Sequence, residues 1–198
     1  MSKKNQEGKL WIISGEIGAG KTILCAELIQ AFEALGWQIT GLRSPAMMQA
    51  GQKMGIAVEN LATKEQRQLA VKATIAHALE DAPVHWTFDP QVLAWGNQVF
   101  QHVVPTDLLV VDEIGPLEMK RGEGWVNALY ALDSRQYRQA LLVMRPKLLA
   151  MAQARWDWGQ PILIQSVDQV PAITADCMLA WSAGADDSGL QSFVPGQL

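Results

Sequence analysis

Cysteine is scarce in this chain. Cys25 and Cys177 are far apart and form no CxxC pair. That excludes a disulfide framework and a cysteine metal knuckle, and points to a reduced, cytoplasmic setting. Long apolar runs are missing too. No stretch approaches the roughly 20 residues a membrane helix needs, so no membrane partner is expected. Residues 1–8 carry charge without the apolar segment of a secretory signal. Charge of one sign is also absent. Lys and Arg number 16 against 20 Asp and Glu, a net charge of −4 with no basic stripe, which favours no nucleic-acid partner. His77, His85 and His102 have no ligand spacing to each other or to the cysteines, and read as structural histidines.

What is present is a folded composition, with 49% hydrophobic residues against 18% charged in 198 residues. That length suits a single domain, 1–198. Residues 10–14 and 140–144 are short apolar runs, and 107–112 holds four apolar residues between Asp107 and Asp112, as expected of strands buried on both faces. Residues 37–42 and 161–164 read as two more strands. Helices are expected over 21–35, ended by Gly36, and from Asp89 as N-cap with Pro90 at the first helical position. Others are expected after Gly122–Gly124, with Trp125, Val126, Leu129 and Tyr130 on one side, from Pro146, and over about 171–181. The stretch 44–88 is less regular. It reads as an insertion of short strands or a hairpin around Met54, Ile56, Val58 and Leu61, with a short helix or strand over 70–79. The tail 182–198 is rich in Gly, Ala, Asp and Ser and is expected to be loosely held. Strands alternating with helices predict an α/β fold with a mostly parallel sheet covered on both faces.

Residues 15–22 read Gly15-Glu16-Ile17-Gly18-Ala19-Gly20-Lys21-Thr22. This is the G-x-x-x-x-G-K-[ST] pattern between a buried strand and a helix. Small residues let backbone N–H groups encircle phosphate oxygens, and the following helix aims its N-terminal amides at the same anion. Lys21 would reach the β- and γ-phosphates, and Thr22 would offer its hydroxyl to Mg²⁺. Asp112, at the end of the strand 107–112, is placed to hold Mg²⁺ and its waters. Glu113 beside it can polarise a water for attack on the γ-phosphate. Arg145 follows the next strand. Were that strand to lie between the other two, Arg145 would point towards the γ-phosphate and stabilise transferred charge. Arg43, closing the second strand, is a weaker candidate of the same kind. On spacing alone Glu118 is a solvated loop acid. There is no N-K-x-D, so the guanine-reading Asp of Ras-type GTPases is lacking.

The segment Asp112-Glu-Ile-Gly-Pro-Leu-Glu-Met119 resembles the extended second motif of the small nucleoside-triphosphatases first known from thermophiles, a family that includes the cancer-related nucleoside-triphosphatase. The likeness continues through Gly36-Trp37 to Arg43, through Gly51-Gln-Lys-Met-Gly55 to Leu61 with Arg67, Leu69 and Ala70, and through Trp86-Thr-Phe88. The resemblance implies a RecA-like P-loop fold, Mg²⁺ as cofactor, and hydrolysis of ATP, GTP and other nucleoside triphosphates to diphosphates. It also implies that residues 15–22 and 112–118, Glu118 included, line the nucleotide site. The chain departs from the family at Ile23, at Gly51-Gln52-Lys53 and at Arg145-Pro146. Two other outcomes share the loop. One is a kinase with residues 44–88 as a basic lid carrying Lys53, Lys64, Arg67 and Lys72. The other is a nucleotide-dependent adaptor with a protein partner.

Overall fold

A computed structural model describes residues 8–72 and 86–183. In chain order it runs β1 (Lys9–Ser14), α1 (Lys21–Ala34), β2 (Ile39–Arg43), β3 (Ala46–Gln49), β4 (Gln52–Asn60), β5 (Gln66–Lys72), β6 (Trp86–Phe88), α2 (Pro90–Phe100), β7 (Thr106–Ile114), α3 (Val126–Asp133), β8 (Tyr137–Met144), α4 (Pro146–Arg155), β9 (Gln160–Leu163) and α5 (Val170–Ala183). The tail from 184, residues 73–79 of the segment read as helix or strand, His77 and His85 lie outside the described residues.

Among the described residues nine strands form one mixed sheet, ordered β6-β5-β4-β2-β7-β8-β1-β9, with β3 paired to β4. The strands β2, β7, β8, β1 and β9 are mutually parallel. Their apolar runs are continuous because the sheet is covered on both faces. Alternate residues of one strand serve different cores. Leu10 and Ile12 of β1 pack with Val92 and Phe100 of α2, Leu132 of α3 and Ala152 of α4. Trp11 and Ile13 pack with Leu24, Leu28 and Phe32 of α1 and with Ile173 and Trp181 of α5.

The 44–88 stretch is an antiparallel extension of the same sheet. Strand β4 joins through Leu42 opposite Asn60 and Arg43 opposite Glu59. Of the 70–79 segment, residues 70–72 are strand, the end of β5.

Helix α2 starts as expected, with the Asp89 carboxylate accepting from the Gln91 and Val92 amides at 2.8 and 3.3 Å. Helix α3 differs. It buries Ala128, Leu129, Ala131 and Leu132, while Tyr130 is 65% exposed. The buried stripe at i, i+1, i+3 and i+4 follows the helical period, and Tyr130 falls between its rows. Among the described residues no helix is long and apolar enough to cross a membrane.

Candidate active site

The loop from 15 to 20 joins the buried end of β1 to the start of α1. Gly15 lies against the chain after β9: a Cβ at Gly15 would stand 2.2 Å from the Ile164 carbonyl oxygen. Any side chain there would push the loop off the sheet. The Ala19 amide bonds the Glu16 carbonyl at 3.1 Å and closes the turn. Helix α1 has neither a side-chain cap nor an acidic residue in its first turn. Its leading amides are therefore left uncapped, with no carboxylate competing for them, an arrangement suited to an anion. The Lys21 ammonium donates to the Gly15 and Glu16 carbonyls at 2.8 and 2.9 Å, which folds it over the loop. Of the other loop residues, Ile17 is 83% exposed and Ala19 is buried.

Strand β7 carries the acidic pair. Asp112 is almost fully buried. One of its carboxylate oxygens accepts the Ser44 amide at 3.1 Å, and the Ser44 hydroxyl donates to the Asp112 main-chain carbonyl. The register explains this: Leu42 of β2 stands opposite Val111, so the chain leaving β2 passes Asp112 at once. Burial pushes the Asp112 carboxyl up to about 6. The Ser44 amide opposes that rise, the neighbouring Glu113 charge adds to it, and Arg43 and Lys21 also oppose it.

Strand β8 does lie between β7 and β1. Val143 stands opposite Asp112 and Met144 opposite Ile114, so Arg145 leaves the sheet level with the acidic pair. Its Nε donates to Glu113 Oε1 at 2.9 Å. The arginine expected to face a phosphate is thus held by the glutamate expected to face a water.

Two other charged residues take different places from those expected on spacing. Glu118 is buried, not solvated. Its two oxygens accept the Gly115 and Trp125 amides at 2.9 and 3.0 Å, bracing the loop after β7. Arg43 pairs with Glu59 on β4 at 2.7 Å and is turned to the antiparallel extension. His102, at the end of α2, has Nδ1 3.2 Å from the Gln98 carbonyl oxygen.

Thr22, Asp112, Glu113, Glu118 and Arg145 line one cavity of about 560 Å³. Its other walls include Ser44, Lys53, Trp86 and Phe88; in the sequence Lys53 stands out only as part of a basic lid, Trp86 and Phe88 only in the family likeness, and Ser44 not at all. Ser44 had one usable signal: it follows the carboxyl end of a strand, where open α/β sheets place their ligands. The Thr22 hydroxyl and the Asp112 carboxylate are hard oxygen donors facing this space, a donor set suited to Mg²⁺ with retained waters. A buried carboxyl resisting ionisation is also a group that a divalent cation would relieve.

The parallel core, the glycine-rich turn into α1 and the acid at the end of β7 make an α/β protein of the nucleoside-triphosphatase type. The model of the NTPase family matches residues 11–143, and the chain belongs to that family. It is 24% identical over 107 residues to nucleoside-triphosphatase THEP1 of Sulfurisphaera tokodaii, spanning 54% of this chain and 61% of that protein's length. It is 23% identical over 161 residues to THEP1 of Caldivirga maquilingensis, spanning 81% and 88%. The solution structure of a human cancer-related nucleoside triphosphatase superposes with a TM-score of 0.65 at 16% identity, covering 89% of this chain and 99% of the human one.

Proposed function

We propose that this protein hydrolyses nucleoside 5′-triphosphates, ATP and GTP among them, to diphosphate and phosphate in a Mg²⁺-dependent reaction. The observation that carries the reading is the convergence of Thr22 from α1, Asp112 and Glu113 from β7, and Arg145 from β8 on one cavity. The loop amides of residues 15–22 hold the phosphates. Lys21 leaves the Gly15 and Glu16 carbonyls for β- and γ-phosphate oxygens. Thr22 and Asp112 are the residues that would hold Mg²⁺, which when bound would offset phosphate charge. The γ-phosphate draws Arg145 from Glu113, and that frees Glu113 to orient a water. The water oxygen bonds to the γ-phosphorus, the bond to the β–γ bridging oxygen breaks, and the water's proton passes to Glu113. Two free, buried cysteines support a reduced cytoplasmic setting for this activity.

The test is phosphate release from the four common nucleoside triphosphates with Mg²⁺. Glu113→Gln should lower kcat by roughly 10²–10⁴ while nucleotide affinity holds, the range for losing a general base. No release from any triphosphate by the wild type, or wild-type turnover in Glu113→Gln, would defeat the reading.

A further inference from the structure

We propose that the cavity beside the acidic pair is a second ligand site, separate from the nucleotide's, for a small organic anion with a flat apolar body. The placement rests on the reading above of which end of the cavity meets the γ-phosphate.

The first argument is size. The cavity measures about 560 Å³, and a water takes ~30 Å³ of liquid volume, so the attacking water, with the γ-phosphate and metal that the reading above places against Thr22, Asp112 and Arg145, fills only the end of it nearest the acidic pair. Small-molecule sites run from about 300 to 1,000 Å³. The nucleotide does not claim the remainder. Of the phosphate loop only Thr22 faces the cavity, joined by Ile23 just beyond it, and no residue from 15 to 20 does. The α- and β-phosphates therefore lie outside it.

The second argument is the wall opposite the reactive groups. It is built by the antiparallel extension: Ile56 of β4, Leu69 of β5, and Trp86 and Phe88 of β6, with Trp125 closing the side towards α3. Indole and phenyl rings beside aliphatic side chains receive a flat apolar body and give nothing to a phosphate or a water. A catalytic site that needed only to close over a γ-phosphate would have no use for this surface.

The third argument is charge. Arg145 is matched to Glu113, and Asp112 faces the Mg²⁺ position. Lys53 of β4 is the cation of the far wall. Its ammonium lies 5.2 Å from the Trp86 ring centroid, and among the described residues it forms no ion pair. A ring stacked at Trp86 with a carboxylate, sulfonate or similar group meets both features together.

The experiment uses naphthalene-2-sulfonate as probe and full-length protein saturated with Mg²⁺–ADP, followed by tryptophan fluorescence and by NMR. Saturable binding of one probe per chain is expected with ADP in place. Lys53→Ala should weaken it at least fivefold, and Ala46→Trp, which fills the cavity from an exposed edge strand, should abolish it. Absence of saturable binding, displacement of the probe by ADP, or unchanged affinity in both variants would overturn the proposal. Nucleotide hydrolysis without probe binding sinks the second site alone. Probe binding without hydrolysis leaves the site standing and sinks the hydrolase reading.

Discussion

The parallel strands and the antiparallel extension belong to one sheet but are built differently. Residues of β1, β7 and β8 are buried on both faces almost without a break. Strand β3 is exposed along its whole length, and β4 and β5 each begin with three exposed residues. The groups proposed above to act on phosphate leave the buried strands: Asp112 and Glu113 from β7, Arg145 from β8. The groups that shape the rest of the cavity, Lys53, Trp86 and Phe88, leave the exposed ones. Double burial over-determines a strand's position, because moving it disturbs two cores at once. A strand covered on one side can change its outer residues at little cost. The same reaction machinery can therefore be kept while the facing wall varies.

The sharpest test of that contrast is Gly41. It sits in β2 with φ +103°, and a Cβ there would meet the Val110 carbonyl oxygen of β7 at 2.0 Å. No rotamer relieves a backbone overlap. Gly41→Ala should cost roughly 4 kcal/mol or more, the range reserved for a broken structural feature, and is read from the urea midpoint. A loss under about 1 kcal/mol would mean the parallel half yields as easily as the extension.

Much of that parallel half was legible. Continuous apolar runs of four or five residues admit few other readings beside a glycine-rich loop of that pattern, and the order β7-β8-β1 was anticipated as the arrangement that would bring Arg145 level with the acidic pair. The partner of Arg145 was not legible, because pairing with Glu113 needs a register of 32 residues' separation. Glu118 was misread on spacing because a buried carboxylate satisfied by two amides leaves no periodic trace; the family resemblance alone drew it back to the site. The extension was read as short strands or a hairpin, with a helix or strand left open over 70–79. Gln52, Lys53 and Met54 of β4 are all exposed, as are Gln66, Arg67 and Gln68 of β5, so the alternation that marks a half-buried strand is broken there.

The next effect in size comes from Asp112, where burial works against ionisation. Its folded carboxyl sits at about 6 against 3.8, so between those values the folded state holds more protons than the unfolded. Stability from this group is thus fully present below pH ~4 and is lost as pH rises through 6. The loss is about 3 kcal/mol at neutral pH without metal. Asp112→Asn removes the ionisation and keeps an oxygen for the Ser44 amide. In EDTA it should be more stable than wild type at pH 7.5 by an amount of this order, with the gap closing at pH 4. A mutant less stable at both pH values would show that packing, not charge, governs this position.

In the extension the comparable strain is small. Ala50 and Gly51 form the two-residue turn between β3 and β4, both at positive φ, 48° and 77°. Alanine is a poor residue there, and Asn-Gly is the favoured pair for such a turn. Ala50→Asn should raise stability by about 0.5–1 kcal/mol without changing kcat. Thermal unfolding and phosphate release measured on one preparation decide it. A change in kcat would tie the exposed hairpin to the chemistry and blur the division drawn above.

The smallest effect tests how the two regions are joined. Lys64, in the turn between β4 and β5, bonds Glu33 of α1 at 2.7 Å, and both side chains are well exposed, 58% and 43%. This pair ties the extension to the helix that follows the phosphate loop. Two solvated charges on long side chains gain little by meeting, because water screens them and each gives up rotamer freedom. A double-mutant cycle with Lys64→Ala and Glu33→Ala should give a coupling of about 0.2–1 kcal/mol that fades in 1 M salt. The extension is held instead where Leu42 and Arg43 of β2 meet Asn60 and Glu59 of β4. If the cycle returned several kcal/mol, the turn would be an anchor, and nucleotide binding at the start of α1 would have a direct route to the cavity's far wall.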